Sequence, residues 1–186
     1  MVLAIVLLII LGAVLWIAWR ATNDINNSAP SYTSDELYTR ATQQIESGDY
    51  VNAESYLEQA LLKEDDSTYR GQLAVVKYRL RKYNEAIVEY QKLISLGKDE
   101  AFAWNGTGNA YRDQALVETE RILELQEKAL DSYQKSIQAD SKYAAAYSNQ
   151  ALLQNEMGDR VGAVKTLDLG IAATNLQVLK DLKERL

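Results

Sequence analysis

From Thr33 onward the sequence repeats itself, and the repeat is written in small residues. Ala41, Ala74, Gly108 and Ala151 each fall early in an amphipathic helical stretch, while Ala53, Ala86, Ala129 and Ala163 each fall near the start of the stretch that follows. In the first, second and fourth units these landmarks lie 12 positions apart, and in the third 21. Four residues after each second landmark comes a large side chain, Leu57, Tyr90, Tyr133 or Leu167, and four further on an aliphatic one, Leu61, Ile94, Ile137 or Ile171. That spacing stacks side chains on one face of a helix. A small residue lets two helices approach, and the large ones fill the grooves between them. One helix pair cannot bury its apolar face alone, so the pattern predicts an all-α stack of pairs sharing a continuous core.

The third unit reads Trp104-Asn105-Gly106-Thr107-Gly108-Asn109-Ala110-Tyr111, and Gly48-Asp49-Tyr50 and Gly158-Asp159-Arg160 mark tight turns between paired helices. A large residue, a small one four on, then Gly-Asp, then Ala and another large residue: this resembles the tetratricopeptide repeat, over Ser34 to about Leu176. The resemblance implies a superhelix of about four helix pairs, at 34–66, 67–100, 101–143 and 144–176, with residues 177–186 (QVLKDLKERL) as a capping helix carrying Val178, Leu179, Leu182 and Leu186 on one face. Arg81 stands where the second turn would have glycine, Gly170 replaces a typical alanine, and no unit ends in the family's proline. The nine extra residues of the third unit, within RDQALVETERILELQEK, are expected to lengthen both of its helices by about one turn each. Asp99 is expected to cap the helix that follows it. Tyr50, Tyr83, Tyr90, Tyr111, Tyr133 and Tyr147 occupy the family's packing positions and are read as core.

Ahead of the repeats, residues 2–19 carry no charged or strongly polar side chain. As a helix they would span about 27 Å, close to the hydrocarbon thickness of a bilayer. Trp16 and Trp19 sit at the boundary end and Arg20 follows. Residues 1–20 are therefore read as an uncleaved transmembrane anchor, since no basic residue precedes the apolar run as a secretory leader requires. Residues 21–33, with the chain's single proline at Pro30, are read as a linker reaching at most about 43 Å. Arg20, with no basic side chain on the other flank, places the repeats on the cytoplasmic or stromal side.

The chain contains no Cys and no His, which removes thiolate and imidazole chemistry and the commonest transition-metal ligands. Its 26 acidic residues are interleaved with Lys and Arg as on a solvated helical surface, so no catalytic, cofactor or metal site is expected and no small-molecule substrate. A net charge of -6 argues against a nucleic-acid partner. In the family, partner segments lie along the first helices of the pairs. The matching positions here give a groove of Gln72, Tyr78, Arg79, Asn105, Asn109, Arg112, Ser148, Asn149 and Asn155, whose amides suit an extended peptide backbone. The clamp with which chaperone-docking members hold a terminal carboxylate is absent, Tyr38, Thr42 and Gly106 standing at its positions. Anchor and repeats together imply a scaffold or assembly factor that recruits a protein or peptide segment of a membrane complex. The layout is similar to the membrane-anchored tetratricopeptide factors of cyanobacterial and plastid thylakoids that assist photosystem I assembly. A permanent structural subunit, or an extracytoplasmic cytochrome c maturation or translocon-associated protein, has the same layout.

Overall fold

The computed structural model describes residues 12–18, 20 and 32–186. The chain divides into two compact units between Thr33 and Ser34. In the first, residues 12–18 are helical with exposed side chains, and the Arg20 guanidinium lies 5.2 Å above the Trp16 ring. Most of the predicted anchor and nearly all of the linker lie outside the described residues. No helix among the described residues is long and apolar enough to cross a membrane.

The second unit is a run of antiparallel helix pairs. The first hairpin is α1 (Ser34–Glu46) and α2 (Tyr50–Lys63), the second α3 (Ser67–Arg79) and α4 (Tyr83–Ser95), the third α5 (Glu100–Ala115) and α6 (Ile122–Ala139), the fourth α7 (Ala144–Glu156) and α8 (Arg160–Thr174), and α9 (Gln177–Arg185) closes the stack. Each helix packs on its neighbours in sequence, and the first helices α3, α5 and α7 also touch in succession.

The landmark alanines are where helices meet: Ala41, Ala53, Ala74, Ala86, Ala129, Ala151 and Ala163 are all fully buried. Glycine appears where even a methyl group would not fit. A Cβ on Gly106 would lie 2.3 Å from Tyr90 Cζ, and one on Gly108 would lie 2.5 Å from Tyr133 Cε1. Gly170 departs from alanine for the same reason, since its Cβ would meet Tyr147 at 2.7 Å and Leu179 of α9 at 2.9 Å. The tyrosines divide: Tyr90, Tyr133 and Tyr147 are buried, whereas Tyr50, Tyr83 and Tyr111 are half-buried.

Asp49, Asp66 and Asp159 each accept a backbone N–H in the first turn of α2, α3 and α8, which satisfies donors that have no partner within the helix. Asp99 does not cap α5. An N-cap side chain normally reaches its target from extended backbone, but Asp99 is left-handed (φ 46°) and only its carbonyl engages the helix, accepting from Ala103 N at 2.9 Å. In the hairpin turns Gly48 and Gly158 take φ of 81° and 87°, and Arg81 takes 60° at the corresponding place.

The first two hairpins are joined by an ion network around Lys77, 6% exposed, whose Nζ donates to Glu54, Glu58 and Glu85 at 3.2, 3.0 and 2.8 Å. Lys82 adds a second cation to Glu54 at 2.7 Å. Burial alone would raise the Glu54 pKa, but hydrogen bonds from Lys82 and Lys77 outweigh it and hold the carboxyl below its ordinary value. In the third hairpin α5 has 16 residues and α6 has 18, against 13 in α1, α3, α4 and α7, and a 3-10 turn at Thr119–Arg121 joins them.

Candidate interaction groove

Because α3, α5 and α7 touch in succession, side chains on their shared inner face form one polar surface. Its centre is a relay between α3 and α5. The Tyr78 hydroxyl donates a short hydrogen bond to Asp113, and Arg112 donates to the same carboxylate from Nε and Nη2 at 3.1 and 3.0 Å. Burial, then the hydrogen bond to Asp113 and its charge, push the Tyr78 phenol up to about 12, so it remains a donor at any physiological pH. The Tyr83 ring packs at a tilt 6.0 Å from Tyr78.

A second rung joins α5 to α7, where Asn149 Nδ2 donates to Asn105 Oδ1 at 2.9 Å. Asn105 is 7% exposed beneath this contact. Within the third hairpin the Tyr133 hydroxyl donates to Asn109 Oδ1 at 2.9 Å. The acceptor oxygens of Asn105, Asn109 and Asp113 are thus engaged from within the protein. What these positions leave for a partner is the amide nitrogen of Asn109, the exposed guanidinium of Arg79 and Nη1 of Arg112, while Gln72, Ser148, Asn149 and Asn155 add groups that both donate and accept. Such a surface matches a segment that presents carbonyl or carboxylate oxygens.

Tyr78, Asn105, Asn109, Arg112 and Asn149 therefore belong to this bonded surface. Gln72 and Ser148 are half-buried on α3 and α7, while Arg79 and Asn155 are exposed at the last turns of the same helices. Two contributors are not visible in the sequence. Asp113 follows Arg112 directly, yet its role depends on Tyr78 from the preceding hairpin. Tyr133 reads as core, and its ring is fully buried there, but its hydroxyl reaches Asn109. Among the described residues no group of three acidic side chains is arranged to hold a metal ion.

No family model and no curated protein sequence matches this chain. Solved structures do. TTC0263, a tetratricopeptide-repeat protein of Thermus thermophilus, is 18% identical, with a TM-score of 0.68, over 82% of this chain and 80% of that one. The fold is that of the tetratricopeptide repeat. A tetratricopeptide-repeat protein of Parabacteroides merdae is 22% identical with a TM-score of 0.62, over 81% of this chain and 57% of that one. MamA of Desulfovibrio magneticus is 16% identical with a TM-score of 0.62, over 82% and 76%. At these identities the likeness concerns the fold alone. Within that fold the first helices of successive repeats supply the inner face on which the donors lie.

Proposed function

We propose that this chain is a membrane-anchored scaffold or assembly factor, whose inner face holds an extended, oxygen-rich segment of a partner protein while residues 2–19 hold the repeats at a bilayer. The observation that carries this reading is the centre of the groove, where the acceptors of Asn105, Asn109 and Asp113 are bonded internally while Arg79 and the Asn109 amide nitrogen remain available to a ligand. The apolar run of residues 2–19 and the exposure of residues 12–18 support the anchor. A linker of at most about 43 Å would confine the groove to a thin layer next to the membrane and raise its effective concentration toward a membrane-bound partner. With the basic Arg20 flank, the reading places the repeats on the cytoplasmic or stromal side. The similarity of layout makes photosystem I assembly the first case to test.

The experiment is chemical crosslinking in native membranes, followed by recovery of the chain and identification of what is attached. Wild type is compared with an Arg79→Glu, Asn155→Ala double variant, and protease accessibility of intact vesicles reports the side on which the repeats lie. The reading expects one membrane-complex component to be recovered with wild type and lost with the variant. Equal recovery from both removes the groove from the explanation.

A further inference from the structure

The third hairpin ends differently from the others. The link after α5 carries Leu116 and Val117 and the first turn of α6 carries Ile122 and Leu123, exposed to 71%, 63%, 37% and 69%. Four large aliphatic side chains exposed within eight residues of one corner offer a concentrated apolar surface, whereas exposed ones such as Leu62 and Val161 lie apart from it in the chain. The end is nonetheless fixed in shape, because Arg121 bonds Glu118 at 2.7 Å and Glu124 at 3.0 Å, and Lys128 bonds Glu124 at 2.5 Å.

Two further features bear on what would cover it. First, the overhanging end and the turn of the second hairpin flank an open pocket of about 330 Å³, lined on one side by Arg81, Lys82, Tyr83 and Asn84 and on the other by Gln114 and Val117. Gln114 is 4% exposed there; its Nε2 donates to Asn84 at 3.2 Å and to Glu118 at 2.6 Å, while its Oε1 has no hydrogen-bond partner within the protein. Second, the segment from Leu116 to Lys128 holds Glu118, Glu120, Glu124 and Glu127 against Arg121 and Lys128, and both cations are already paired. Glu120 and Glu127 have no cationic partner among the described residues. The tip of the hairpin, beyond the Arg81 and Lys82 side of that pocket, is therefore apolar and acidic at once.

We infer that the end of the third hairpin is a second docking surface, separate from the inner groove, for a basic amphipathic helix of a partner protein. Aliphatic side chains on one face of that helix would cover Leu116, Val117 and Leu123, and its flanking Lys or Arg would face Glu120 and Glu127. An anionic bilayer fits less well because the same glutamates would face its headgroups.

The full chain, held in phosphatidylcholine nanodiscs, is titrated against a fluorescent helical peptide of leucine and lysine about 18 residues long, about five turns. The leucine and glutamate counterpart and empty discs serve as blanks. Wild type is expected to bind the basic peptide at least about tenfold more tightly than Leu116→Ser, Leu123→Ser, a difference of about 1.4 kcal/mol that partial burial of two leucines readily supplies. Both leucines are exposed, so the variant keeps its thermal midpoint, and Arg79→Ala in the inner groove binds the peptide as wild type does. Because the chain has no cysteine, Thr119→Cys, exposed beside the patch, takes an environment-sensitive dye at one place, and its emission should shift only when the basic peptide is added. Equal binding by wild type and the leucine variant overturns the inference. A dye shift produced by disc lipid alone assigns the surface to the bilayer, and a sedimenting dimer dissolved by the same leucine substitutions assigns it to a second copy; either result overturns it too.

Discussion

Replacing Gly106 with alanine tests the packing logic of the repeat more sharply than any change to the groove, because two effects of known size oppose each other. Gly106 lies in the interior of α5, where alanine is favoured over glycine by about 1 kcal/mol. An added Cβ, however, would sit 2.3 Å from Tyr90 Cζ and 2.7 Å from both of its Cε atoms. Restoring ordinary contact requires the ring or the helix to move by about 1 Å. Tyr90 is 3% exposed, walled by Ala74, Ala86, Leu93 and Ala103, with Phe102 edge-on at 5.7 Å. The ring has nowhere to go, which puts the overpacking cost at the upper end of the usual range, about 3 kcal/mol. The net expectation is a loss of about 2 kcal/mol, or about 4–8 °C in thermal midpoint for a domain of this size. Thermal and urea melts of the detergent-solubilised chain, followed by circular dichroism, measure it. In a Tyr90→Leu background the clash is gone, so Gly106→Ala should become neutral or stabilising by up to about 1 kcal/mol. If Gly106→Ala alone leaves the midpoint unchanged or raises it, the claim that glycine is there to admit Tyr90 is wrong.

Arg81→Gly is expected to stabilise the chain by about 1 kcal/mol in a urea melt, because Arg81 holds a left-handed φ of 60° that glycine adopts without a Cβ penalty. Lys77→Ala should destabilise by about 2–3 kcal/mol in the same assay, since it leaves Glu54 buried with Lys82 alone. The pH dependence follows from Glu54: its folded pKa is depressed, so its contribution is fully present above the ordinary value of 4.5 and is lost as pH falls through the folded value. A Glu54→Gln chain should therefore show a shallower fall in stability below about pH 5 than wild type, read from midpoints across an acid series. Tyr78→Phe should cost about 1–3 kcal/mol by leaving Asp113 without that donor, and ultraviolet titration of wild type should find Tyr78, with the buried Tyr90 and Tyr133, ionising well above the ordinary tyrosine value.

The core of this fold is legible because its rule is local and periodic. Ala41 and Ala53, or Ala151 and Ala163, recur at positions set by the helical turn, and each is fully buried. The lengthened third hairpin is visible as a break in that period, and Gly106 and Gly108 can be picked out though not explained, since Tyr90 and Tyr133 belong to other helices. What sequence periodicity does not carry is the conformation of single residues and the pairing of side chains across hairpins. Asp99 is a good capping residue by type, but Gly97 and Asp99 both take left-handed backbone in a turn that no spacing rule specifies. The groove positions can be read one helix at a time. That Tyr78 finds Asp113, 35 residues away, and Asn105 finds Asn149, 44 away, depends on how far one hairpin slides along the next.

Those two cross-helix bonds also set a ruler. One ties α3 to α5 and the other ties α5 to α7, so the spacing of the inner helices is fixed before any ligand arrives, and a partner need not organise it. Helices in direct contact lie about 8–10 Å apart. An extended peptide advances about 3.3 Å per residue. A segment laid across the inner face would therefore meet a fresh helix about every third residue, and the oxygens it offers to the donors should recur with that period in the sequence of whatever protein it comes from.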